Sequence, residues 1–250
     1  MNADPVMQLV RFLEWDSAFF QRRIARVLKT SITDADEMHQ IRAWADEHQI
    51  DCLYFLCESD SPPSTRLAEA NGFHLMDIRV TLALTLATQD RQRPTEAWIR
   101  DAEPTDRAAL RALSQNSFTT SRFYADAHFA REDCDRLYET WIENSLNDPA
   151  VRVLVADIDG AAGYITCEQH GATGEIGLVS VDRAHSGSGI GTALTLASLN
   201  YFAVQGLERA EVVTQGRNIV AQRTYQKCGF RTQRTQLWYH AWRNEDDPSE

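Results

Sequence analysis

The sequence contains no long hydrophobic run, and its first residues lack the pattern of a secretory signal. The longest weakly polar stretch, Thr81–Leu86, is far shorter than the roughly 20 residues that a membrane-spanning helix needs. The start MNADPVMQLVRFLEW has no basic segment followed by an apolar core. We therefore expect a cytoplasmic protein that does not insert into a membrane.

Positive charge is also scarce. Lys29 and Lys227 are the only lysines, and 25 basic residues stand against 36 acidic ones, which gives a net charge of −11. This balance argues against broad binding to nucleic acid or anionic lipid, although it leaves room for a local basic pocket that binds phosphate.

Cysteine pairs with the spacing of metal ligands are missing too. The five cysteines form no CxxC pair and no Cys/His cluster of the zinc-binding kind. We expect free, buried thiols and no bound metal at Cys52, Cys57, Cys134, Cys167 and Cys228.

The chain has 250 residues, 43% of them hydrophobic, a length that suits one large domain or two small ones. Residues 88–96, TQDRQRPTE, are polar and poor in apolar side chains, so they are the predicted linker. Before it, we predict a strand over 51–57, a helix ending at Ala70 and a strand over 78–86. After it, we predict helices over 133–146, 194–204 and 218–227 and strands over 151–157, 161–169, 174–181, 210–214 and 235–242.

A glycine-rich segment, VDRAHSGSGIGT (181–192), leads directly from a predicted strand into a predicted helix. Gly187, Gly189 and Gly191 would let the backbone approach a ligand and aim its N–H groups at an anion, to which the helix N-terminus adds partial positive charge. The pattern predicts a pyrophosphate site, with a simple tight turn as the alternative. No GK[ST] follows it, so it is not a Walker loop.

A second motif follows the next predicted strand. Asn218, Ala221, Tyr225 and the pair Gly229-Phe230 have the spacing Asn-x2-Ala-x3-Tyr-x3-Gly-Phe. Together with the glycine-rich segment, this motif resembles the GNAT acetyltransferase superfamily over residues 97–241. The resemblance implies an α/β fold with a mixed sheet, and acetyl-CoA as the co-substrate without a metal.

The resemblance also implies roles for individual residues. Tyr225 would protonate the leaving thiolate, since a phenol remains protonated at neutral pH; packing on the helix face is the alternative. The cofactor would be bound by Val179, Val181, Ser186, Gly187, Ser188, Gly189, Ile190, Gly191, Thr192 and Asn218. Ser186 stands where the family usually has Arg or Gln, which shifts phosphate binding toward Arg183 or His185. Glu168, Glu175 or water would serve as the base.

The first half of the chain contains a second version of the same pattern. RLAEANGF (66–73) parallels RTYQKCGF (223–230), but Ala68 stands in the place of Tyr225 and Ser61 in the place of Asn218. No glycine-rich segment lies in residues 16–50. If the similarity is a true repeat rather than chance, residues 1–90 form a truncated GNAT-like domain. It would pack on a complete GNAT domain, 97–241, bind no CoA and provide one wall of the acceptor site.

Two further segments resemble the TDP-fucosamine acetyltransferase family: EWDSAFF (14–20), and SRFY (121–124) with YETWIENS (138–145). That resemblance implies transfer of acetyl to the amino group of a dTDP-linked 4-amino-4,6-dideoxy sugar for polysaccharide synthesis. Trp15, Asp16, Phe19 and Phe20 would build the sugar-nucleotide pocket. Arg122 would pair with a phosphate, and Phe123 or Tyr124 would stack on thymine.

Two other functions stay open at this point. The acceptor could be a different amine, such as a peptide N-terminus, a polyamine or an aminoglycoside, and the acidic net charge suits a polycation. The chain could also be a non-enzymatic CoA sensor, although a sensor needs no proton donor at Tyr225. The sequence leaves the oligomeric state open, a homodimer included.

Overall fold

The computed structural model describes residues 9–87, 95–115 and 117–243, which divide into two compact units. Of these residues, the first unit comprises 9–79, 125–129 and 235–243, and the second comprises the rest, between 80 and 124 and between 130 and 234. Most of the predicted linker, 88–94, lies outside the described residues. The domain ranges 1–90 and 97–241 stay predictions, and the compact units are not continuous in sequence.

The first unit is built on a sheet of four strands, which are in order β1 (Val10–Phe12), β2 (Ile24–Val27), β3 (Cys52–Glu58) and β10 (Arg231–Trp242). β2 pairs parallel with β3, while β1–β2 and β3–β10 are antiparallel. The elements are β1 (Val10–Phe12), α1 (Glu14–Phe20), β2 (Ile24–Val27), α2 (Ala35–Glu47), β3 (Cys52–Glu58) and α3 (Pro62–Ala70). Apolar side chains of α2, such as Met38 and Ile41, bury themselves with Leu53 and Phe55 of β3. The Asp34 side chain caps α2 by accepting from the Asp36 amide at 2.9 Å.

The second unit contains the strand order β4-β9-β8-β7-β6-β5. Its strands are β4 (His74–Thr85), β5 (Ile99–Asp101), β6 (Arg152–Asp157), β7 (Ala161–His170), β8 (Thr173–Val181) and β9 (Arg209–Gln215). Its helices are α4 (Arg107–Ser114), α5 (Arg122–Ala125), α6 (Arg131–Asn147), α7 (Ile190–Val204) and α8 (Ile219–Lys227). Strand β10 (Arg231–Trp242) is the last element in the sequence. β4 begins in the first unit and ends in the second, and β10 does the reverse.

Helix α7 packs closely on β7 and β8 because two glycines leave room for it. A Cβ on Gly163 would lie 2.8 Å from the Ser180 carbonyl oxygen and 3.2 Å from the Ile190 side chain. A Cβ on Gly174 would collide with the Phe202 ring. Both glycines therefore let α7 lie close to β7 and β8, directly after the glycine-rich segment.

The two halves of the chain repeat one arrangement of strand, helix and strand. Adding 157 to the bounds of β3, α3 and β4 gives the bounds of β9, α8 and β10. Ser61 and Asn218 are the N-caps of the two helices, and Gly72 and Gly229 both have positive φ, +75° and +103°. This agreement of element bounds supports the internal repeat that the sequence predicts.

Most predicted elements are confirmed, and the differences have local causes. The mixed α/β class and the free, buried cysteines are as expected. α7 begins at Ile190 rather than 194, because Gly189, at φ +91°, ends the turn before it and Gly191 is tolerated in the first turn. β4 and β10 begin four residues earlier than predicted, and helix α1 was not predicted. In the described part of the chain, no helix has the length and apolarity needed to cross a membrane.

Candidate active site

The centre of the second unit is a split between two parallel strands. β8 and β9 pair from Thr173–Arg209 to Ile176–Val212. Beyond that point, β8 continues to Val181 and β9 to Gln215, and among the described residues the two ends pair no further with each other. The open ends create a gap in the sheet that a ligand can enter.

An irregularity in β8 marks the point where the split begins. Cys167 pairs with Ile176 and Ile165 with Val179, so Thr166 alone faces two residues of β8. The Leu178 amide donates to Thr166 Oγ1 at 2.7 Å, and a Cβ on Gly177 would lie 2.7 Å from that same oxygen. Such a bulge bends a strand and increases its twist, so Gly177 helps turn β8 away from β9.

A cavity of about 680 Å³ occupies the split. Every residue around it belongs to the second unit. With the exception of Ser188, the predicted catalytic and cofactor residues line it. Those lining residues are Val179, Val181, Ser186, Gly187, Gly189, Ile190, Gly191, Thr192, Asn218 and Tyr225. The Ser188 hydroxyl donates to the His185 carbonyl at 2.6 Å, which supports the loop from outside the lining.

The glycine-rich segment ends at the N-terminus of the 15-residue helix α7. Asp182 starts it by accepting from the Ala184 amide at 2.9 Å, and Gly187 and Gly189 have φ of +81° and +91°. Gly191 is different: a Cβ there would meet only ordinary contacts at 3.8 Å, from Thr224 and Val181. The first two glycines thus serve the turn itself, while the turn does not require the third.

Helix α8 faces the same cavity. The Asn218 side chain accepts from the Ala221 amide at 3.1 Å, which caps the helix and explains the Asn-x2-Ala spacing. Tyr225 lies two turns further along and is 5% exposed. Burial raises the pKa of Tyr225, to which the nearby Cys228 adds, so its phenol keeps its proton at neutral pH. The cap and the tyrosine therefore place a protonated hydroxyl group beside the split.

The charged side chains of the cavity lining are all positive. Arg223 and Lys227 are the charged side chains in the lining, and the lining residues, all of them described, include no Asp or Glu. His185 Nδ1 is buried without a hydrogen-bond partner. A site of this composition favours an anion, and a helix N-terminus pointing into it adds to that preference. The cavity can hold phosphate groups at its glycine-rich end.

The candidate bases lie outside the cavity lining. Glu168 and Glu175 face each other across β7 and β8, and His170 Nε2 lies 3.4 Å and 3.6 Å from their carboxylates. Their role in deprotonating the acceptor stays a prediction, and so does the alternative that water does so.

The predicted acceptor residues lie in two places, neither of them in the lining of this cavity. Trp15, Asp16, Phe19 and Phe20 lie on α1 in the first unit, where Trp15 stacks on Phe19 with ring centroids 5.1 Å apart. Arg122 and Tyr124 lie on α5, where the Arg122 guanidinium covers the Phe123 ring at 4.1 Å and the Tyr124 hydroxyl donates to Asp135. Their contact with a substrate stays a prediction.

Sequence reasoning missed the aromatic and hydroxyl residues on one side of the cavity. Phe118 follows α4, and Tyr138 and Trp141 are three residues apart on α6, so they lie on one helix face. The three-residue spacing of Tyr138 and Trp141 is the sequence signal that could have indicated a shared aromatic face. Ser117 and Thr120 add hydroxyl groups to this side of the lining.

A comparison with known families explains this arrangement. Residues 109–230, which include the split strands, the glycine-rich segment and helix α8, match the profile of the "Acetyltransferase (GNAT) family". The chain carries a GNAT acetyltransferase domain. The protein is therefore an acetyltransferase, and its acetyl donor is acetyl-CoA. In the residues that the structure describes, no group of three or more His, Cys, Asp or Glu side chains could hold a metal ion.

Two curated relatives resemble this acetyltransferase over most of its length. The dTDP-fucosamine acetyltransferase of Escherichia coli O6:H1 is 28% identical over 94% of this chain and 99% of its own length. The spore coat polysaccharide biosynthesis protein SpsD of Bacillus subtilis is 23% identical over 91% of this chain and 81% of its own.

A solved structure shows the same fold. The GCN5-related N-acetyltransferase from Sphaerobacter thermophilus superposes with a TM-score of 0.67 at 16% identity, covering 93% of this chain and 76% of that one. This likeness confirms the GNAT fold that the sequence motifs imply.

Proposed function

We propose that this acetyltransferase acetylates the amino group of a nucleotide-linked amino-deoxy sugar of the dTDP-4-amino-4,6-dideoxyhexose type. The main support is the similarity to dTDP-fucosamine acetyltransferase, which extends over 94% of this chain and 99% of the relative. Because the alignment covers nearly the whole of both proteins, it includes the first unit and not the GNAT domain alone. The EWDSAFF segment of that unit supports the same acceptor class.

In this proposal, acetyl-CoA lies in the split. The pyrophosphate is bound by the N–H groups of the glycine-rich segment and the start of α7, helped by the positive charges of Arg223 and Lys227. Backbone groups of Val179 and Val181 pair with the pantetheine arm, in the way that a further strand would pair with β8. The thioester then lies near Tyr225, on the other wall of the same cavity.

The proposed reaction is a direct transfer. The neutral amine attacks the thioester carbonyl carbon, a C–N bond forms and the C–S bond breaks. The amine loses one proton to solvent water, and the departing sulfur takes a proton from the Tyr225 hydroxyl, which is restored from solvent. The products are the N-acetyl sugar nucleotide and CoA thiol. Burial raises the pKa of Tyr225, so its hydroxyl is protonated at neutral pH and can donate a hydrogen bond to the sulfur as negative charge develops there.

The test is a substrate panel with purified full-length protein and release of CoA thiol as the readout. We expect dTDP-4-amino-4,6-dideoxygalactose to give the highest kcat/KM, above glucosamine, spermidine and a peptide with a free N-terminus. A preference for spermidine or the peptide of tenfold or more would instead assign the enzyme to another amine class. CoA binding without turnover of any amine would favour a sensor.

A further inference from the structure

The proposed position of acetyl-CoA assigns no role to one part of the cavity lining. Ser117, Phe118, Thr120, Tyr138 and Trp141 form it, from the segment after α4 and from α6. None of these residues belongs to the glycine-rich segment or to α8. An acceptor must reach the thioester from some side of the split, and these uncharged residues, three of them aromatic, line the same cavity. We call Phe118, Tyr138 and Trp141 the aromatic wall.

The segment 117–120 is tied to both strands of the split. Ser117 Oγ lies 2.9 Å from Ser180 Oγ of β8, and Thr120 Oγ1 donates to Gln215 Oε1 of β9 at 3.3 Å. Ser180 and Gln215 lie near the open ends of the two strands. The segment therefore spans the gap and fixes Phe118 at the edge of the cavity.

The rings of the aromatic wall pack on one another. The Phe118 and Tyr138 rings stack with centroids 4.3 Å apart and 12° between their planes. Trp141 meets the Tyr138 ring edge-on at 5.0 Å. Tyr138 is 4% exposed, whereas Phe118 and Trp141 are partly exposed. Rings held in this way offer a preformed apolar face with little entropy left to lose on binding.

The charges of the lining decide which form of an amine can bind here. Among the lining residues, all of them in the described part of the chain, there is no carboxylate to pair with an ammonium group. Burying an unpaired ammonium is costly. At pH 7.4 only about one lysine-like amine in a thousand is neutral, given a pKa of about 10.4. A sugar amine is less basic, so a larger fraction of it can enter uncharged.

We infer that the aromatic wall is the acceptor subsite: it packs against the apolar face of the sugar ring and admits the amine only as the free base. This inference rests on the proposed function for the identity of the sugar, and it names Trp141 and Phe118 as specificity-determining residues. The hydroxyls of Ser117 and Thr120 lie beside the wall, where they can bond polar groups of the sugar.

The first experiment compares Trp141→Leu and Phe118→Leu with wild type, using Tyr201→Leu as the matched control. Tyr201 is a partly buried aromatic residue of α7 that lies outside this cavity. We expect the acceptor KM to rise at least tenfold in both wall variants, with the acetyl-CoA Kd within twofold of wild type, and neither constant to change in the control. Trp141→Phe retains an aromatic ring, so its acceptor KM should lie much closer to that of wild type than the KM of Trp141→Leu does. This variant also keeps the test decisive if Trp141→Leu misfolds.

Folded wall variants with an acceptor KM within twofold of wild type would overturn the inference. So would a parallel loss of acetyl-CoA affinity, which would assign the wall to the cofactor. The measurement uses whichever amine of the panel wild type acetylates fastest. A poor rate with the dTDP-linked sugar therefore contradicts the proposed function without deciding the role of the wall.

The second experiment tests the free-base requirement in wild type. For two acceptors of different amine pKa, kcat/KM should rise tenfold per pH unit and level off at the pKa of each amine. If kcat/KM levels off at the same pH for both acceptors, a protein group is removing the proton from the bound amine. That result would contradict the inference that the amine binds only as the free base.

Discussion

Ala68 and Tyr225 accept the same hydrogen bond in the two copies of the repeat. The Phe73 amide donates to the Ala68 carbonyl and the Phe230 amide to the Tyr225 carbonyl, each at 3.1 Å. The backbone at the two helix ends is therefore equivalent, while the side chain that matters for proton transfer exists in one copy only. The first copy also lacks a side-chain cap, since Ser61 makes no capping hydrogen bond, unlike Asn218.

This difference predicts a single cofactor site per chain. Titration calorimetry with acetyl-CoA should give a stoichiometry of one, because the first copy has no glycine-rich segment before its helix. The double variant Gly187→Ala/Gly189→Ala, which changes the glycine-rich segment before α7, should abolish acetyl-CoA binding in the same titration. A stoichiometry of two would mean that the first copy has kept a site, and unchanged affinity in the double variant would mean that the glycine-rich segment does not bind the cofactor.

The glycines of the loop should separate into two kinds. Gly189→Val should lose acetyl-CoA binding, because a β-branched residue at φ +91° strains the turn. Gly191→Ala should fold at least as well as wild type, since a Cβ there meets only contacts at 3.8 Å and Ala favours the helix by up to about 1 kcal/mol. It should nonetheless weaken acetyl-CoA binding at least tenfold, because the new methyl group stands where the pyrophosphate must approach.

Calorimetry and thermal unfolding on the same samples decide between these effects. If Gly191→Ala binds acetyl-CoA as well as wild type, close approach at residue 191 is excluded and the segment is a turn rather than a cradle.

Acid should destabilise the first unit through Asp126. Its buried carboxylate accepts from His240 Nδ1 at 2.6 Å and from Trp242 Nε1 at 2.9 Å. Burial alone would raise the pKa of Asp126, but the hydrogen bond and charge of His240, with further donors, lower it well below its ordinary value. A lowered pKa contributes stability that is present above about pH 4 and is lost as the pH falls toward the pKa of the folded state.

Asp126→Asn is the matched change for this prediction. It should lower Tm at pH 7 and flatten the fall of Tm below about pH 4, because the variant has no carboxylate to protonate there. Asp159→Asn, at an exposed hairpin turn, serves as the control. Parallel Tm curves for wild type and Asp126→Asn across that acidic range would show that another group controls acid unfolding.

A fragment of residues 97–241 should not fold by itself. The core of the second unit includes Val80 and Leu82 of β4, which the fragment lacks. Residues Gln236–Trp242 of β10 pair with β3, so the fragment would expose an unpaired strand. Circular dichroism should show no cooperative thermal transition for it, in contrast to the full chain. A cooperative transition near the Tm of the full chain would make 97–241 an independent domain.

The sequence predicts those parts of the site that depend on neighbours along the chain. Gly187 and Gly189 are needed by a local turn, and Asn218 is needed three residues before Ala221, so spacing alone reveals both features. The parallel between RLAEANGF and RTYQKCGF at the ends of the repeated helices is visible in the same way.

The parts that the sequence could not predict depend on distant pairing. The place of Phe118 follows from bonds that tie its segment to Ser180 and Gln215, far away in sequence. The end of β10 belongs to the first unit because it pairs with β3, and no local pattern encodes that partner. Residues of the SRFY segment were predicted at the acceptor, whereas the cavity is lined by Phe118 before it and by Tyr138 and Trp141 after it.

The central claim is that Tyr225, in the split between β8 and β9, gives its proton to the leaving thiolate. Tyr225→Phe removes only the hydroxyl, and Tyr201→Phe is the control for losing a phenol outside the cavity. We predict that Tyr225→Phe binds acetyl-CoA with a Kd within twofold of wild type while kcat falls by about 10²–10⁴, the usual contribution of a positioned general acid. A steady-state kcat within threefold of wild type, at unchanged acetyl-CoA affinity, would contradict the account.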